Sequence, residues 1–197
     1  GHTGYIYALE FSADERMLLS ASSDKTARLW DLSKQSYTTF TGHSGAINTA
    51  CFSPDGLQVL TGSSDRTIKL WDLKGNELQT FEEDLQAVRG LAFAPDGRHF
   101  YSAESSKARL WNLRGLELTN YNYERLNGAA LSVAFIPATD TTERMLISGS
   151  RDHSVRIWDK QESLQQEFNG HQLGVEAVAY CPQFGYILSG SMDGTAI

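Results

Sequence analysis

Ser20, Asp24 and His2 are the three side-chain types of a serine hydrolase, and they fall within the first 24 residues of the chain. In acyl transfer a serine attacks, a histidine takes its proton and an aspartate orients the imidazole. The same types, with Trp30 close behind, can also close a buried hydrogen-bond network that does no chemistry, because hydroxyl, imidazole, carboxylate and indole supply matching donors and acceptors. The two readings differ in a countable way. A catalytic set is needed once, in a cleft with an oxyanion site. A structural set can recur wherever the same turn recurs.

This set recurs. Leu18–Leu32 reads LLSASSDKTARLWDL and Val59–Leu73 reads VLTGSSDRTIKLWDL. Leu146–Asp159 reads LISGSRDHSVRIWD, and LSGSMDGTAI begins at Leu188. A weaker copy, FYSAESSKARLWNL, covers Phe100–Leu113. Trp30, Trp71 and Trp111 are spaced by 41 and 40 residues, and Trp158 follows after 47. Gly1-His2, Gly42-His43 and Gly170-His171 mark the starts of units, and an aromatic stands nine residues after each histidine, at Phe11, Phe52 and Tyr180. Phe93 and Phe135 take that place in the two weaker units. A period near 40 is the signature of a repeat architecture.

The elements that must position these residues are short strands. In the first unit Ile6–Phe11, Met17–Ser22, Thr26–Asp31 and Ser36–Phe40 are apolar, branched or aromatic runs that suit a pleated surface. Pro54-Asp55-Gly56, Pro95-Asp96-Gly97 and the Ser-Asp-Lys or Ser-Asp-Arg segments separate such runs as turns. The pattern predicts one small four-stranded antiparallel sheet per unit, an all-β chain. No such sheet buries both faces alone, so the sheets must stack.

Gly-His, an aromatic nine residues on, Ser/Thr-x-x-x-Asp, and Trp-Asp at this period resemble the WD-repeat family of β-propellers over the whole chain. The resemblance implies blades at about 5–41, 46–82, 87–121, 129–169 and 174–197, each with strands a to d from the axis outward. It also implies a fragment of a seven-bladed ring, here four blades and part of a fifth, with the remaining blades outside this segment. In the family, a histidine before strand a, a Ser/Thr on strand b, an aspartate in the b–c turn and a tryptophan on strand c form one network. The matching residues are His2, Ser20, Asp24 and Trp30, and then His43, Thr61, Asp65 and Trp71. The fifth unit supplies His171, Ser189 and Asp193, and the fourth keeps Ser148, Asp152 and Trp158 with Leu126 in the histidine place. The third has Asp84 there and lacks the turn aspartate. Recurrence, and the Ser-to-Thr exchange at position 61, favour the structural role over a triad. No catalytic residue is expected.

Other chemistry is not indicated. His99 and His153 have no partners at metal-ligand spacing, and neither a phosphate-binding nor a dinucleotide motif is present. No metal or cofactor is expected. The net charge of −7 disfavours a sequence-independent grip on nucleic acid, which needs cations to neutralise phosphates. No apolar run approaches the roughly 20 residues of a membrane helix. Cys51 and Cys181 are about 130 positions apart and read as buried thiols of a reducing compartment. The cytoplasm is the expected location, with the nucleus as the alternative.

The resemblance further implies that partners dock on the channel rim. The residues three and five after the histidine, and the one before the turn aspartate, line it. These are Tyr5, Tyr7 and Ser23; Ala46, Asn48 and Ser64; Ala87 and Arg89; Ala129, Leu131 and Arg151; and Gly174, Glu176 and Met192. Tyrosine and arginine here suit protein recognition. The loops NYNYERLNG and ATDTTER, where the repeats lengthen, are expected on the tetrad face and the opposite face. The expected function is a scaffold for protein or peptide segments. The rival is a sensor propeller at the C-terminus of a bacterial signalling NTPase or protease, since LWDLKGNELQTF and LWNLRGLELTNY resemble such arrays.

Overall fold

The computed structural model describes residues 1–82, 86–104, 107–122, 129–136, 145–159, 161 and 163–197, with the backbone alone at 119–122. Among these every regular element is a strand. The chain forms two compact units, Gly1–Gly97 and Arg98–Ile197.

The first unit holds two complete sheets. β1 (Ile6–Phe11), β2 (Met17–Ser22), β3 (Ala27–Asp31) and β4 (Ser36–Phe40) pair in chain order, as do β5 (Ile47–Phe52), β6 (Gln58–Ser63), β7 (Ile68–Asp72) and β8 (Glu77–Phe81). The ladders are antiparallel, and a bulge at Tyr7 re-aims β1 between Ile6 and Ala8. Side chains alternate across each sheet, so register decides which set is buried. Ala21, Ala27, Leu19, Leu29 and Phe40 turn one way and pack on Ile47, Ala50, Phe52 and Trp71 of the second sheet. β9 (Gly90–Phe93) lies against β5 and β6. A Cβ on Gly62 would come within 2.5 Å of Val88, so this close approach needs glycine.

The second unit begins with β10 (His99–Ala103), β11 (Lys107–Asn112) and β12 (Glu117–Asn122), paired in order. β13 (Ala130–Ile136), β14 (Met145–Ser150), β15 (Ser154–Trp158) and β16 (Leu164–Asn169) make a complete antiparallel sheet. β17 (Val175–Cys181) pairs with β18 (Tyr186–Ser191), and Ala196 adds one bridge to Gly190. Ile147, Val155 and Ile157 pack on Val175, Val178 and Tyr180. Asp84, Leu126, ATDTTER and the 123–128 part of NYNYERLNG lie outside the described residues.

Candidate functional site

The b–c turns carry the geometry that decides between triad and network. In the first repeat His2 Nδ1 lies 2.8 Å from Asp24 Oδ2 and Nε2 lies 2.7 Å from Ser20 Oγ. A carboxylate only accepts, so Nδ1 carries the proton and Nε2 accepts from the serine hydroxyl. Trp30 Nε1 donates to the same Oγ at 2.8 Å. The second repeat repeats this, with His43 to Asp65 at 2.9 Å, His43 to Thr61 at 2.8 Å and Trp71 to Thr61 at 2.7 Å. In the fifth, His171 meets Asp193 at 3.0 Å and Ser189 at 2.9 Å.

The proton polarity is that of a hydrolase triad, but the hydroxyl cannot be reached. Ser20 and Thr61 are 1% and 0% exposed, and an indole N–H occupies a lone pair on each. A nucleophile must meet its substrate, and these meet only the interior. The aspartates spend their oxygens on the turn itself. Asp24 accepts from Thr26 Oγ1 at 2.6 Å and from the N–H groups of Thr26 and Thr3, each at 3.0 Å. Asp65 does the same with Thr67 and Ser44. Burial raises the Asp65 pKa, yet the bonds from Thr67 and His43 outweigh it and hold the carboxyl at about 2. Burial pushes His43 below its ordinary 6.5, against the pull of Asp65.

Each of these turns is also tied to the residues expected at the rim. Ser23, Ser64, Arg151 and Met192, each just before a turn aspartate, donate N–H to the carbonyls of Tyr5, Ala46, Ala129 and Gly174, at 2.8, 2.9, 2.9 and 3.1 Å. Those carbonyls belong to the residues three after the histidine place. The pins beneath therefore hold the two residues of each such pair together. Tyr5, Tyr7 and Met192 are 79%, 54% and 68% exposed, and Ser64, Arg89, Arg151 and Glu176 are also exposed. Ser23 Oγ accepts from Tyr5 N–H, and Asn48 Nδ2 donates to Val88 O at 2.8 Å and to Ser64 Oγ, so these polar groups are partly committed. Leu131 does not belong with them. It is buried, because its side chain fills the space beside Gly174.

A family described as the IFT122 first β-propeller matches residues 1–196. The chain belongs to this family. It is thus a chain of WD-repeat β-propeller type, and curated relatives agree. WD repeat-containing protein 1 of Xenopus tropicalis is 55% identical over 38 residues, 19% of this chain and 6% of that protein. A guanine nucleotide-binding protein subunit beta of Nicotiana tabacum is 30% identical over 89 residues, 44% of this chain and 24% of the relative. Nuclear distribution protein PAC1 of Tuber melanosporum is 37% identical over 59 residues, 30% of this chain and 13% of the relative. The matched stretches thus span at most about a quarter of these relatives' own lengths.

Two WD repeats of the chain hold their turns in another way. In the fourth, Asp152 is not joined to a histidine. Arg156 Nη2 donates to it at 2.6 Å and Arg156 Nε to Glu167 at 2.8 Å, while Trp158 still donates to Ser148 at 2.9 Å. In the third, Trp111 donates to Ser102 at 2.9 Å, and Ser102 bonds Glu104. Arg109 lies 3.3 Å from Glu104 and 2.9 Å from Glu117. Arg109, Arg156 and Glu104 are all buried. The sequence showed that the fourth unit keeps Asp152 without a histidine, but sequence reasoning passed over Glu104, Arg109 and Arg156. The available signal was the basic residue two before the strand-c tryptophan, with an acid on strand d, at Arg109 and Glu117 and at Arg156 and Glu167.

Proposed function

We propose that this WD-repeat chain is a non-catalytic scaffold that binds segments of partner proteins on the rim of the turn face. The observation that carries this reading is the repeated backbone bond between the residue before the turn aspartate and the residue three after the histidine place. It sets exposed, chemically varied side chains on a rigid base, the arrangement that suits recognition by loops. Tyr5, Tyr7, Arg89, Arg151, Glu176 and Met192 supply aromatic, basic, acidic and flexible apolar contacts, and Tyr and Arg are the types that concentrate binding energy. Inaccessible hydroxyls at Ser20 and Thr61 speak against hydrolysis there. We further place the chain in the cytoplasm, with the nucleus as the alternative; the free thiols of Cys51 and Cys181 suit a reducing compartment. The matching family is described as a first propeller, which supports a role as one module of a longer protein, with further blades beside it.

The test uses the full-length protein against a displayed library of peptides, followed by affinity measurement for the selected binders. Arg89→Ala with Tyr7→Ala should weaken them about tenfold or more, the effect of about 1.4 kcal/mol. Its thermal midpoint should stay within about 2 °C of wild type, as for surface substitutions. Unchanged affinity, or unfolding, would remove the rim from consideration.

A further inference from the structure

The seam between the first two sheets closes at one end and stays open at the other. Met17, Leu19 and Leu29 lie on the face of the first sheet that packs on the second. Leu19 and Leu29 are buried, but Met17 is only partly covered, and so is Leu73, which follows β7 in the second sheet. There Met17, Leu29, Thr38 and Leu73 line a recess of about 250 Å³, beside Asp31 and Lys34. Asp31 and Leu73 stand where strand c ends, away from the b–c turns. Both walls belong to sheets of the first unit, so the recess is a seam between neighbouring blades and not a face awaiting a further sheet. It is smaller than the roughly 300–1,000 Å³ of small-molecule sites, and suits inserted side chains better than a whole cofactor.

The residue choice keeps this recess open and apolar. In the first sheet Met17 pairs with Asp31 and Leu29 with Thr38. The same places in the second sheet pair Gln58 with Asp72 and Leu70 with Gln79. Glutamine is more polar than methionine and longer than threonine, so the first sheet has the apolar floor and the short wall. The mouth carries cations. The Lys34 side chain is 75% exposed and pairs with Asp31 at 2.7 Å. Lys74 is exposed and stands between Leu73, which lines the recess, and Gly75, where an added Cβ would come within 3.2 Å of Thr38. The acids nearby are held by their own turns. Asp31 accepts from the N–H groups of Ser33 and Lys34, and Asp72 from those of Lys74 and Asn76 and from Asn76 Nδ2.

We propose that this recess docks a segment of a partner protein that inserts one leucine-sized side chain between Met17, Leu29 and Leu73, with acidic residues beside it meeting Lys34 and Lys74. Removing apolar surface from water supplies the affinity. The two ammonium groups select the sign of the flanks, since charges at the edge of an interface act chiefly on specificity and encounter. A basic segment meets like charges there and is rejected. The recess lies at the other end of the sheets from the rim, and its test does not depend on rim binding.

The full-length protein is titrated by fluorescence anisotropy with three labelled peptides: Asp-Glu-Leu-Glu-Asp, the same peptide with Ala at its centre, and Lys-Lys-Leu-Lys-Lys. The acidic leucine peptide should bind at least about tenfold tighter than either of the others. The advantage of leucine over alanine should vanish in Met17→Gln with Thr38→Gln, which installs the residues that the second sheet carries at the like places. The preference for acidic flanks should fall at least about threefold in Lys74→Glu, a surface change. Should the double variant fail to fold, Lys74→Glu carries the test alone. Equal affinities, no binding by the acidic leucine peptide, or a preference that survives its variant would overturn the proposal.

Discussion

In the second repeat a buried imidazole joins Thr61 to Asp65; in the fourth an arginine joins Asp152 to Glu167, and Trp158 donates to Ser148. Both arrangements pin the same turn. Both also leave the same rim bond above, at Ser64 and at Arg151. The turn thus requires a donor aimed at its carboxylate, and it does not require histidine. What changes is the charge held inside. His43 is drawn toward neutrality by burial. Arg156 stays charged, because Asp152 and Glu167 outweigh its own burial.

The largest effect should come from the arginine pin. Arg156→Met leaves Asp152 and Glu167 without their shared cation, and should cost about 3 kcal/mol in urea unfolding. His43→Ala removes the imidazole's hydrogen bonds to Asp65, Thr61 and Thr67 but strands no charge pair, and should cost about 2 kcal/mol. If the histidine substitution cost more than the arginine one, the comparison would fail.

The two pins should also part company with pH. His43 titrates below its ordinary 6.5 in the fold. The folded state therefore binds fewer protons than the unfolded one near pH 6. Its stabilisation is complete above 6.5 and is lost as pH falls. Asp65, held at about 2, adds further loss only below 3.8. Asp152 is also held below 3.8, since the bonds from Ser154 and Arg156 outweigh its burial. Glu10 works with the opposite sign: burial lifts it to about 7, so its contribution is complete below 4.5 and lost as pH rises. The comparison is best made in Glu10→Gln. Between pH 7 and 5, amide protection relative to the intrinsic exchange rate at each pH should fall at the second b–c turn and hold steady at the fourth.

A smaller effect separates hydroxyl from methyl at the centre of the second pin. Thr61→Ser keeps the donor and should cost under about 1 kcal/mol, while Thr61→Val leaves His43 and Trp71 unanswered and should cost about 1–3 kcal/mol. The smallest concerns the backbone. Lys25, Arg66 and His153 follow their turn aspartates with φ of 71°, 69° and 77°, where the fifth repeat has Gly194 at 82°. His153→Gly should relieve this conformation and raise stability by about 0.5–1 kcal/mol.

The sequence carried the strands and the histidine pins because each rests on a local pattern repeated at a fixed period. Ser20, Thr61 and Ser189 announce themselves through their spacing to a histidine and an aspartate. The arginine pins were hidden because Arg156 reaches Asp152 within its own hairpin but Glu167 only across the next strand. Charged residues in a strand read as solvent-facing until register shows otherwise. Leu131 was misplaced for a related reason. Counting from the histidine place finds a position on the chain, and the side chain there packs beside Gly174 instead of facing solvent.

In the fourth turn Arg156–Asp152 does the work that His43–Asp65 does in the second. A pair of double-mutant cycles tests this directly, with Arg156→Met and Asp152→Asn in one and His43→Ala and Asp65→Asn in the other, each read by urea unfolding. Both cycles should show a coupling of about 1 kcal/mol or more, the range for residues that share a hydrogen-bonded network. A coupling below about 0.3 kcal/mol in the arginine cycle beside a strong one in the histidine cycle would mean that the fourth turn is not pinned by Arg156.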